Sequence, residues 1–274
     1  MSTDTLFHSK YGPWALVAGA SVGLGAEYAR QIAAHGLNLV LLDRDGEPLR
    51  ATADEIQSRY GVKTKAVTLD LARADLVAVL QPQVADIEIG LVVYNAAIGT
   101  VAPFLEIQPA HFEMMVDVNC CGPLRLAHAL LPAMVSRGRG GLILMSSMSG
   151  NVGSTQLAVY AASKAFNLVL ADALWAEMRP HGVDVLAVQP GSTRTPGWLS
   201  SQKAGEDEMM PAMEPAEVVR EALATLGVEP VVVAGDANKQ GAAMLASLPR
   251  RQAIELVSAI TEKLVRNDRA PKVS

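Results

Sequence analysis

Short apolar runs alternate with longer amphipathic stretches along most of the chain. Apolar runs of this kind predict seven β-strands, at Trp14–Ala18, Leu37–Leu42, Lys65–Leu69, Gly90–Tyr94, Gly141–Met145, Val183–Val188 and Val231–Val233. The stretches between them predict helices, at about Ala26–Ala34, Glu47–Tyr60, Pro109–Val135 and Thr155–Arg179. Strands that alternate with helices, and that are apolar throughout, are typical of a parallel sheet covered on both faces. The pattern predicts an α/β fold of the doubly wound Rossmann type with about seven strands.

The alternation continues without a break to about Ala234, so we expect a single domain over residues 1–274. Two regions depart from the pattern. Pro196–Pro215 is polar and Met-rich and has no clear periodicity. The tail from Asp236 to Ser274 predicts a C-terminal helical extension, with helices at about Gly241–Ala246 and Pro249–Val265.

Composition and charge exclude several classes of protein. The chain is 50% hydrophobic and 19% charged, which excludes a disordered chain. Its net charge of −5 argues against binding to nucleic acid, which requires a basic surface. Cys120 and Cys121 are adjacent, so they form neither a disulfide framework nor a zinc-finger spacing. The longest apolar stretch, Leu91–Leu105, is interrupted and too short to span a membrane. We expect a soluble cytoplasmic protein without a metal site.

A glycine-rich turn separates the first predicted strand from the first helix. Residues 18–25 read Ala-Gly-Ala-Ser-Val-Gly-Leu-Gly. Gly19, Gly23 and Gly25 allow the backbone to approach a ligand closely, and the helix N-terminus offers free N–H groups to a pyrophosphate. Such a turn can also serve packing alone, but its strand–turn–helix context favours dinucleotide binding, with Ser21 and Leu24 at the site.

Acidic residues end the second and third predicted strands. Asp43, about twenty residues past the glycines, can bind the ribose hydroxyls of NAD and would repel the 2′-phosphate of NADP. Arg44 could hold that phosphate instead, so the sequence favours NAD and leaves NADP open. Asp70 could accept a hydrogen bond from the adenine amine, or it could cap a helix that begins at Leu71.

Tyr160 and Lys164 are four residues apart in a predicted helix, which places both on one face. An ammonium beside a phenol favours the phenolate, so we expect a lowered tyrosine pKa and a general acid/base. Taken alone, such a pair is more often a solvated helix face. Ser146 and Ser147 end the fifth strand, at the sheet edge where ligands gather. A serine hydroxyl there can donate a hydrogen bond to a developing alkoxide. Serine is also common where a strand leads into a loop, without any catalytic role.

These motifs together resemble the short-chain dehydrogenase/reductase family in its short single-domain form. Six of them occur in order over about residues 11–234: residues 18–25, Tyr94-Asn95-Ala96-Ala97, Val118-Asn119, Ser146-Ser147, Tyr160-x-x-x-Lys164 and Pro190-Gly191. The segments Tyr11–Val17, Tyr28-Ala29 and Ile87–Val93 look most like the 17β-hydroxysteroid dehydrogenase/3-ketoacyl-CoA reductase branch. That branch commonly uses NADPH.

The resemblance implies an NAD(P)-dependent oxidoreductase that interconverts a secondary alcohol and a ketone. By that resemblance Tyr160 is the acid/base, and Lys164 lowers its pKa and holds the nicotinamide ribose. Ser147, at the family's offset from the tyrosine, orients the substrate oxygen. Asn119 would hold a proton-relay water near the lysine; otherwise it is a mid-helix asparagine tolerated by packing.

The same resemblance implies further cofactor contacts. The nicotinamide would be fixed by the segment that contains Pro190, Gly191, Thr193 and Thr195, with Thr195 bonding the carboxamide. The predicted cofactor site also includes Leu71, Asn95, Ala96 and Ala97. The family usually has threonine at position 18 and Asn-Asn-Ala-Gly at 94–97. Because position 18 is alanine here, the turn lacks the threonine hydroxyl that braces it in the family. The departure at 94–97 puts Tyr94 and Ala97 near the adenosine side of the cofactor.

The substrate side is less specific. Residues 196–215 would form a loop over the active site, and its Trp198, Leu199, Met209, Met210 and Met213 favour a hydrophobic substrate, steroid-like or 3-oxoacyl-like. These side chains could equally pack the loop onto the body. We interpret His111 and His128 as structural, and by analogy expect a homo-oligomer, a dimer or tetramer, paired through the two longest helices. The alternatives are a non-catalytic dinucleotide sensor and a methyltransferase that uses S-adenosylmethionine.

Overall fold

The computed structural model describes residues 3–201 and 212–269, and a seven-stranded sheet lies at its centre. Every neighbouring pair of strands is parallel, in the order β3-β2-β1-β4-β5-β6-β7. The strands are β1 (Trp14–Ala18), β2 (Asn38–Asp43), β3 (Thr64–Thr68), β4 (Ile89–Tyr94), β5 (Gly140–Met145), β6 (Val183–Gln189) and β7 (Val231–Val233). Each predicted strand is present, with its ends within one residue, and the predicted Rossmann-type fold is confirmed.

Helices cover both faces of the sheet. They are α1 (Thr3–Tyr11), α2 (Gly23–Ala34), α3 (Gly46–Tyr60), α4 (Leu76–Val84), α5 (Pro109–Val116), α6 (Gly122–Arg137), α7 (Ala158–Met178), α8 (Pro196–Ser201), α9 (Pro215–Thr225), α10 (Asp236–Ser247) and α11 (Arg250–Arg269). One core contains buried residues of α2, α3 and α9, and a second, on the opposite face, contains those of α4, α6 and α7. Because the strands are buried between these two cores, their sequences are apolar at consecutive positions.

Among the described residues, four helices are absent from the sequence prediction: α1, α4, α8 and α9. Helix α9 carries a signal that could have been recognised, because Glu214 and Glu217 form a reciprocal capping box around Pro215, the first helical residue. Helix α8 occupies the start of the predicted loop 196–215, so that segment is not a loop throughout. Residues 202–211, including Met209 and Met210, lie outside the described residues.

The predicted helix Pro109–Val135 is divided by a π-helical turn, Asp117–Cys121. An α-helix would require residue 123 to donate to the carbonyl of Asn119, but Pro123 has no N–H. Instead the backbone N–H of Gly122 donates to the Asp117 carbonyl, five residues earlier. Pro123 therefore shifts the hydrogen-bonding register of the helix in the turn that contains Asn119.

Helix α7 begins at Ala158, three residues later than predicted. Gln156 has a φ of 63°, in the left-handed region that an L-residue cannot use inside a right-handed helix. Helices α10 and α11 lie where the sequence predicts the two tail helices. Within residues 3–201 and 212–269, no helix is long and apolar enough to cross a membrane. The single domain over 1–274 stays a prediction.

Candidate active site

A cavity of about 370 Å³ lies at the carboxyl edge of β1–β4 and is bounded by the glycine turn. The turn is held by backbone contacts: the N–H groups of Gly19 and Ala20 donate to the Leu42 carbonyl at 2.8 and 3.1 Å. A Cβ on Gly25 would lie 1.8 Å from the Gly19 oxygen, so this close approach requires glycine. The Asn95 amide donates to the same oxygen at 2.9 Å. This bond braces the turn where Ala18 lacks a hydroxyl.

The cavity collects most of the predicted cofactor residues. These are Gly19, Ser21, Gly23, Leu24, Asp43, Arg44, Asp70, Leu71, Asn95, Ala96, Ala97 and Thr195. Sequence reasoning missed Val22, Asp45, Ile98, Met114, Val118, Pro196 and Gly197, which also line it. Several of these adjoin predicted residues: Val118 lies in the Val118-Asn119 motif, of which only the asparagine has a predicted role, whereas Met114 approaches from α5, which no motif marked. The volume of the cavity, and glycines that let a ligand approach the backbone closely, fit an extended dinucleotide.

Asp43 lies at the end of β2 and is fixed by the glycine turn. Its Oδ2 accepts hydrogen bonds from the Ser21 hydroxyl at 2.6 Å and the Ser21 N–H at 3.1 Å. Its Oδ1 accepts from the Asp45 N–H at 3.3 Å. The neighbouring Arg44 is largely exposed and lies 4.0 Å from the Asp45 carboxylate. A fixed carboxylate and an exposed guanidinium therefore border the same end of the cavity.

One alternative near this end is wrong. Asp70 does not cap a helix that begins at Leu71, because α4 starts only at Leu76; its Oδ1 accepts from the Ala72 N–H at 2.9 Å within a turn. Tyr94, which the resemblance puts near the adenosine side, is not among the residues that line the cavity. Its side chain is buried, and its hydroxyl donates at 2.6 Å to the Val118 carbonyl in the π turn. Asp70 and Ala97 line the cavity, whereas Tyr94 supports it from behind.

Ser147, Tyr160 and Lys164 come together where β5 meets the first turns of α7. The Ser147 side chain lies near enough to the Tyr160 phenol to lower its pKa, and the Lys164 Nζ lies 5.6 Å from the centroid of the tyrosine ring. Lys164 is buried and donates to the Met145 carbonyl at 3.0 Å. The Ser146 hydroxyl instead donates to the Lys164 carbonyl at 2.8 Å, so it braces the helix. This geometry favours Ser147 over Ser146 as the serine that meets a substrate.

The pKa shifts in this cluster follow from burial. Burial raises the pKa of Tyr160, and the nearby Ser147 hydroxyl lowers that pKa by a smaller amount. Burial lowers the pKa of Lys164 to about 8. The expected lowering of the tyrosine pKa by the lysine is therefore wrong for this structure, because loss of hydration penalises the phenolate more strongly. The phenol is protonated and the lysine is an ammonium at neutral pH.

Asn119 is buried in the π turn, and its side chain is paired throughout. Its Nδ2 donates to the Ile98 carbonyl at 2.8 Å and the Ser163 hydroxyl at 3.0 Å, and its Oδ1 accepts from the Ile98 N–H at 2.8 Å. Asn119 thus holds the loop after β4 against α7. These contacts exclude the interpretation of a mid-helix asparagine that packing merely tolerates.

The predicted nicotinamide segment lies after β6, but only part of it reaches the cavity. Thr195 lines the cavity and its hydroxyl accepts from the Trp198 N–H at 3.2 Å. Pro190, Gly191 and Thr193 do not line it, and neither does Gly25. A Cβ on Gly191 would lie 2.3 Å from the Oδ1 of Asn238 in α10. The structure therefore packs this segment against the C-terminal extension.

The surroundings of Tyr160 away from the glycine turn are mostly apolar. A small adjoining cleft is lined by residues that include Phe104, Ile107, Phe112, Met115 and Val159. His111 is hydrogen-bonded to Thr100 across 2.6 Å. Helix α11 packs beside this region, where the Ser258 hydroxyl accepts from the Thr155 N–H at 3.1 Å. In the part of the chain that the structure describes, no three His, Cys, Asp or Glu side chains are grouped to hold a metal ion.

The parallel sheet, the glycine turn and the Ser-Tyr-Lys cluster define a dinucleotide-dependent oxidoreductase of the Rossmann type. The family profile described as short chain dehydrogenase matches residues 13–205. The chain belongs to the short-chain dehydrogenase family. The predicted class, a nicotinamide-dependent oxidoreductase acting on alcohols and ketones, is thereby confirmed.

Two kinds of relative illustrate the similarity. A 7beta-hydroxysteroid dehydrogenase of Collinsella aerofaciens is 34% identical over 233 residues, which cover 84% of this chain and 89% of the relative. A very-long-chain 3-oxoacyl-CoA reductase of Emericella nidulans is 37% identical over 183 residues, covering 65% of this chain and 53% of the relative.

Solved structures agree in fold. A 7beta-hydroxysteroid dehydrogenase studied for its stereoselectivity superposes with a TM-score of 0.87 at 32% identity, covering 91% of this chain and 98% of the other. A short-chain dehydrogenase from Sphingobium yanoikuyae, in complex with NADPH, superposes with a TM-score of 0.74 at 31% identity, covering 87% and 97%.

Proposed function

We propose that this chain interconverts a bulky hydrophobic secondary alcohol and its ketone, of a steroid-like or 3-oxoacyl-like class. One observation carries the proposal: the contact between Ser147 and Tyr160, with Lys164 5.6 Å from the ring, beside a glycine-lined cavity. The residues that would hold the cofactor are those that line this cavity, together with Lys164.

Each catalytic side chain has a separate task. The nicotinamide, when bound, supplies or accepts the hydride. The Ser147 hydroxyl donates a hydrogen bond to the substrate oxygen, and the Tyr160 phenol gives that oxygen a proton in ketone reduction or accepts one in alcohol oxidation. Because burial keeps the phenol protonated, Tyr160 is ready for the reductive direction. The Lys164 ammonium stabilises the phenolate that remains.

For the cofactor we propose NAD. The support is the Asp43 carboxylate, which Ser21 holds at the cavity and which would repel a 2′-phosphate. The alternative, NADP, is supported by the exposed Arg44 and by similar structures that contain NADPH or NADP. The ratio of kcat/KM for the two cofactors decides between them.

The substrate class is supported from two directions. The side chains around Tyr160 on the side away from the glycine turn are mostly apolar, which favours a hydrophobic substrate; the cleft between them measures about 10 Å³, so a bulky group would require it to open. The relatives at 34% and 37% identity are named for hydroxysteroid and very-long-chain 3-oxoacyl-CoA substrates. Both substrate types carry an oxygen on a secondary carbon within a large apolar framework.

We also propose that the protein is a cytoplasmic homo-oligomer, a dimer or tetramer. Support for assembly comes from exposed apolar side chains on the helices around the π turn and on α7: Val116 is 42% exposed, Leu124 47% and Val169 64%. Light scattering coupled to size exclusion tests the assembly, and a monomer at micromolar concentration would contradict it.

A binding titration followed by a substrate screen tests the proposed function. The purified chain is titrated with NADH, NADPH and S-adenosylmethionine, and then assayed with 7-ketosteroids, 3-oxoacyl thioesters and the matching alcohols. We expect nicotinamide binding and turnover in at least one substrate class. Binding without turnover across the panel would favour the dinucleotide sensor. Binding of S-adenosylmethionine alone would favour a methyltransferase.

A further inference from the structure

Gln156 lies two residues before α7, on the segment that leads to Tyr160. Its φ of 63° falls in the left-handed region, and no other residue except glycine has a positive φ in the described part of the chain. A side chain larger than that of asparagine costs energy there. The Gln156 carbonyl accepts from the Ala102 N–H at 3.0 Å, which joins this segment to the loop after β4. Strain that neighbouring contacts maintain is concentrated at functional sites.

Gln156 and Tyr160 line the same narrow cleft. The cleft measures about 10 Å³, and the residues around these two are mostly apolar, among them Phe104, Phe112 and Leu157. Because the cleft is so narrow, a substrate that extends into it from Tyr160 must part its walls and contact the residues that form them. Gln156 therefore meets such a substrate at a point away from the reacting oxygen.

The amide oxygen of Gln156 is buried and has no hydrogen-bond partner among the described residues. A buried acceptor without a donor costs free energy until a donor reaches it. Two other polar side chains line the cleft, and each already has a task. The Thr100 hydroxyl is hydrogen-bonded to His111 across 2.6 Å, and Tyr160 serves the reacting oxygen. In this cleft Gln156 therefore supplies the acceptor that is left for a second group of the substrate.

We propose that Gln156 is a specificity residue whose amide oxygen accepts a hydrogen bond from a hydroxyl of the substrate. A hydroxyl can donate this bond, whereas a ketone or thioester carbonyl can only accept. A cationic donor is disfavoured, because the apolar lining would strip it of hydration. This role rests on the proposed function and narrows it: the favoured substrate is a hydrophobic ketone that carries a hydroxyl away from the reacting carbon, or the matching diol. A hydroxylated steroid meets that description, and a 3-oxoacyl group, whose two oxygens are carbonyls, does not.

Calorimetric titration of the full chain tests this role without turnover. The probes are two 7-ketosteroids that each carry one further hydroxyl, at different ring positions, and the same ketone without it. The protein is held in excess NAD⁺ and NADP⁺, because an oxidised nicotinamide cannot reduce a ketone. We expect the unaltered chain to bind at least one hydroxylated ketone about tenfold more tightly than the plain ketone, since the plain ketone leaves the amide oxygen unpaired.

Substitutions at this position separate a hydrogen bond from packing. Gln156→Met keeps an unbranched side chain of similar length and removes the amide, so the Kd values for hydroxylated and plain ketones should agree within about twofold. Gln156→Glu restores an oxygen acceptor and should keep the preference. Gln57→Met makes the same change on α3, where Gln57 is exposed, and should behave like the unaltered chain. A purely structural role would change the Kd values for both kinds of ketone equally.

A preference that survives Gln156→Met, or that Gln156→Glu abolishes, would overturn the role of Gln156. Equal binding of all the ketones by the unaltered chain, or binding of none, would overturn it as well. If thermal melting shows that Gln156→Met does not fold, Gln156→Asn decides, because asparagine tolerates the left-handed backbone and withdraws the amide by one carbon; an unchanged preference then overturns the role. A preference without turnover would refute the proposed function alone, and turnover without a preference would refute this role alone.

Discussion

The two halves of the candidate site lie along one edge of the sheet but are built differently. The cofactor half depends largely on backbone: Gly19 and Gly25 approach so closely that a Cβ on either would collide with neighbouring atoms. The catalytic half depends on buried polar side chains, because Asn119, Lys164 and Asn167 each hold carbonyls or loops in place. The first half should be sensitive to added volume, and the second to the loss of single polar atoms.

The largest expected effect is on the catalytic half. Tyr160→Phe removes one oxygen and should reduce kcat for ketone reduction by about 10³-fold, because the proton donor is lost. The Kd for NADH should change less than threefold, since the glycine turn is untouched. Steady-state kinetics and a fluorescence titration measure the two quantities. Near-normal kcat in the variant would refute the role given to Tyr160.

Adding one carbon tests the cofactor half. Gly25→Ala places a Cβ 1.8 Å from the Gly19 oxygen, so the turn must shift. We expect NADH binding to weaken by more than tenfold and the free energy of unfolding to fall by about 1–3 kcal/mol. Gly153→Ala is the control, because no heavy atom lies within 4 Å of its added carbon. Equal behaviour of the two variants in calorimetry and titration would contradict this description of the turn.

A smaller effect is expected where charge selects the cofactor. Asp43→Asn removes the negative charge while keeping an oxygen for the Ser21 hydroxyl. The ratio of kcat/KM for NADP to that for NAD should rise by about tenfold, because repulsion of the 2′-phosphate is lost. Arg44→Ala should lower the same ratio. A parent enzyme that already prefers NADP would show that Asp43 does not govern the choice.

The smallest expected effect concerns a residue that joins the two halves. Tyr28 on α2 is fully buried, and its hydroxyl lies 3.4 Å from the sulfur of Met145, the residue whose carbonyl binds Lys164. Sulfur is a weak acceptor, so Tyr28→Phe should change the free energy of unfolding by less than about 1 kcal/mol. Denaturant titration measures this value. A loss above 2 kcal/mol would show that the two halves are coupled through this contact.

The sequence predicts the inner strands well because β1, β2, β4, β5 and β6 are continuous apolar runs buried on both faces, whereas the edge strand β3 is partly exposed and carries Lys65. The glycine turn and the Ser147, Tyr160 and Lys164 set are also predictable, since local spacing on a strand exit or helix determines where such groups lie. The predicted roles of these residues stay predictions until the variants are measured. The capping box of α9 shows that one missed helix carried a usable local signal.

Other features depend on contacts between distant segments. The sequence contains Pro123, but it does not show which groups bind the backbone carbonyls that the π turn leaves free. In the structure Tyr94 donates to the Val118 carbonyl and Asn167 donates to the Asn119 carbonyl. Likewise the four-residue spacing of Tyr160 and Lys164 predicts a lowered tyrosine pKa. Burial has the larger effect and raises that pKa, and burial cannot be read from the spacing. Burial and long-range pairing therefore account for most of what the sequence pattern missed.

The most direct test of the central claim follows a labelled hydride. NADH carrying deuterium at the transferring C4 position, or the equally labelled NADPH, is incubated with the ketone that the screen identifies, and the alcohol is examined by mass spectrometry and NMR. We predict one deuterium on the carbinol carbon with the unaltered protein, and labelled product formed about 10³-fold more slowly with Tyr160→Phe, although both bind the cofactor. Deuterium transfer at the unaltered rate by the Tyr160→Phe variant would contradict the account.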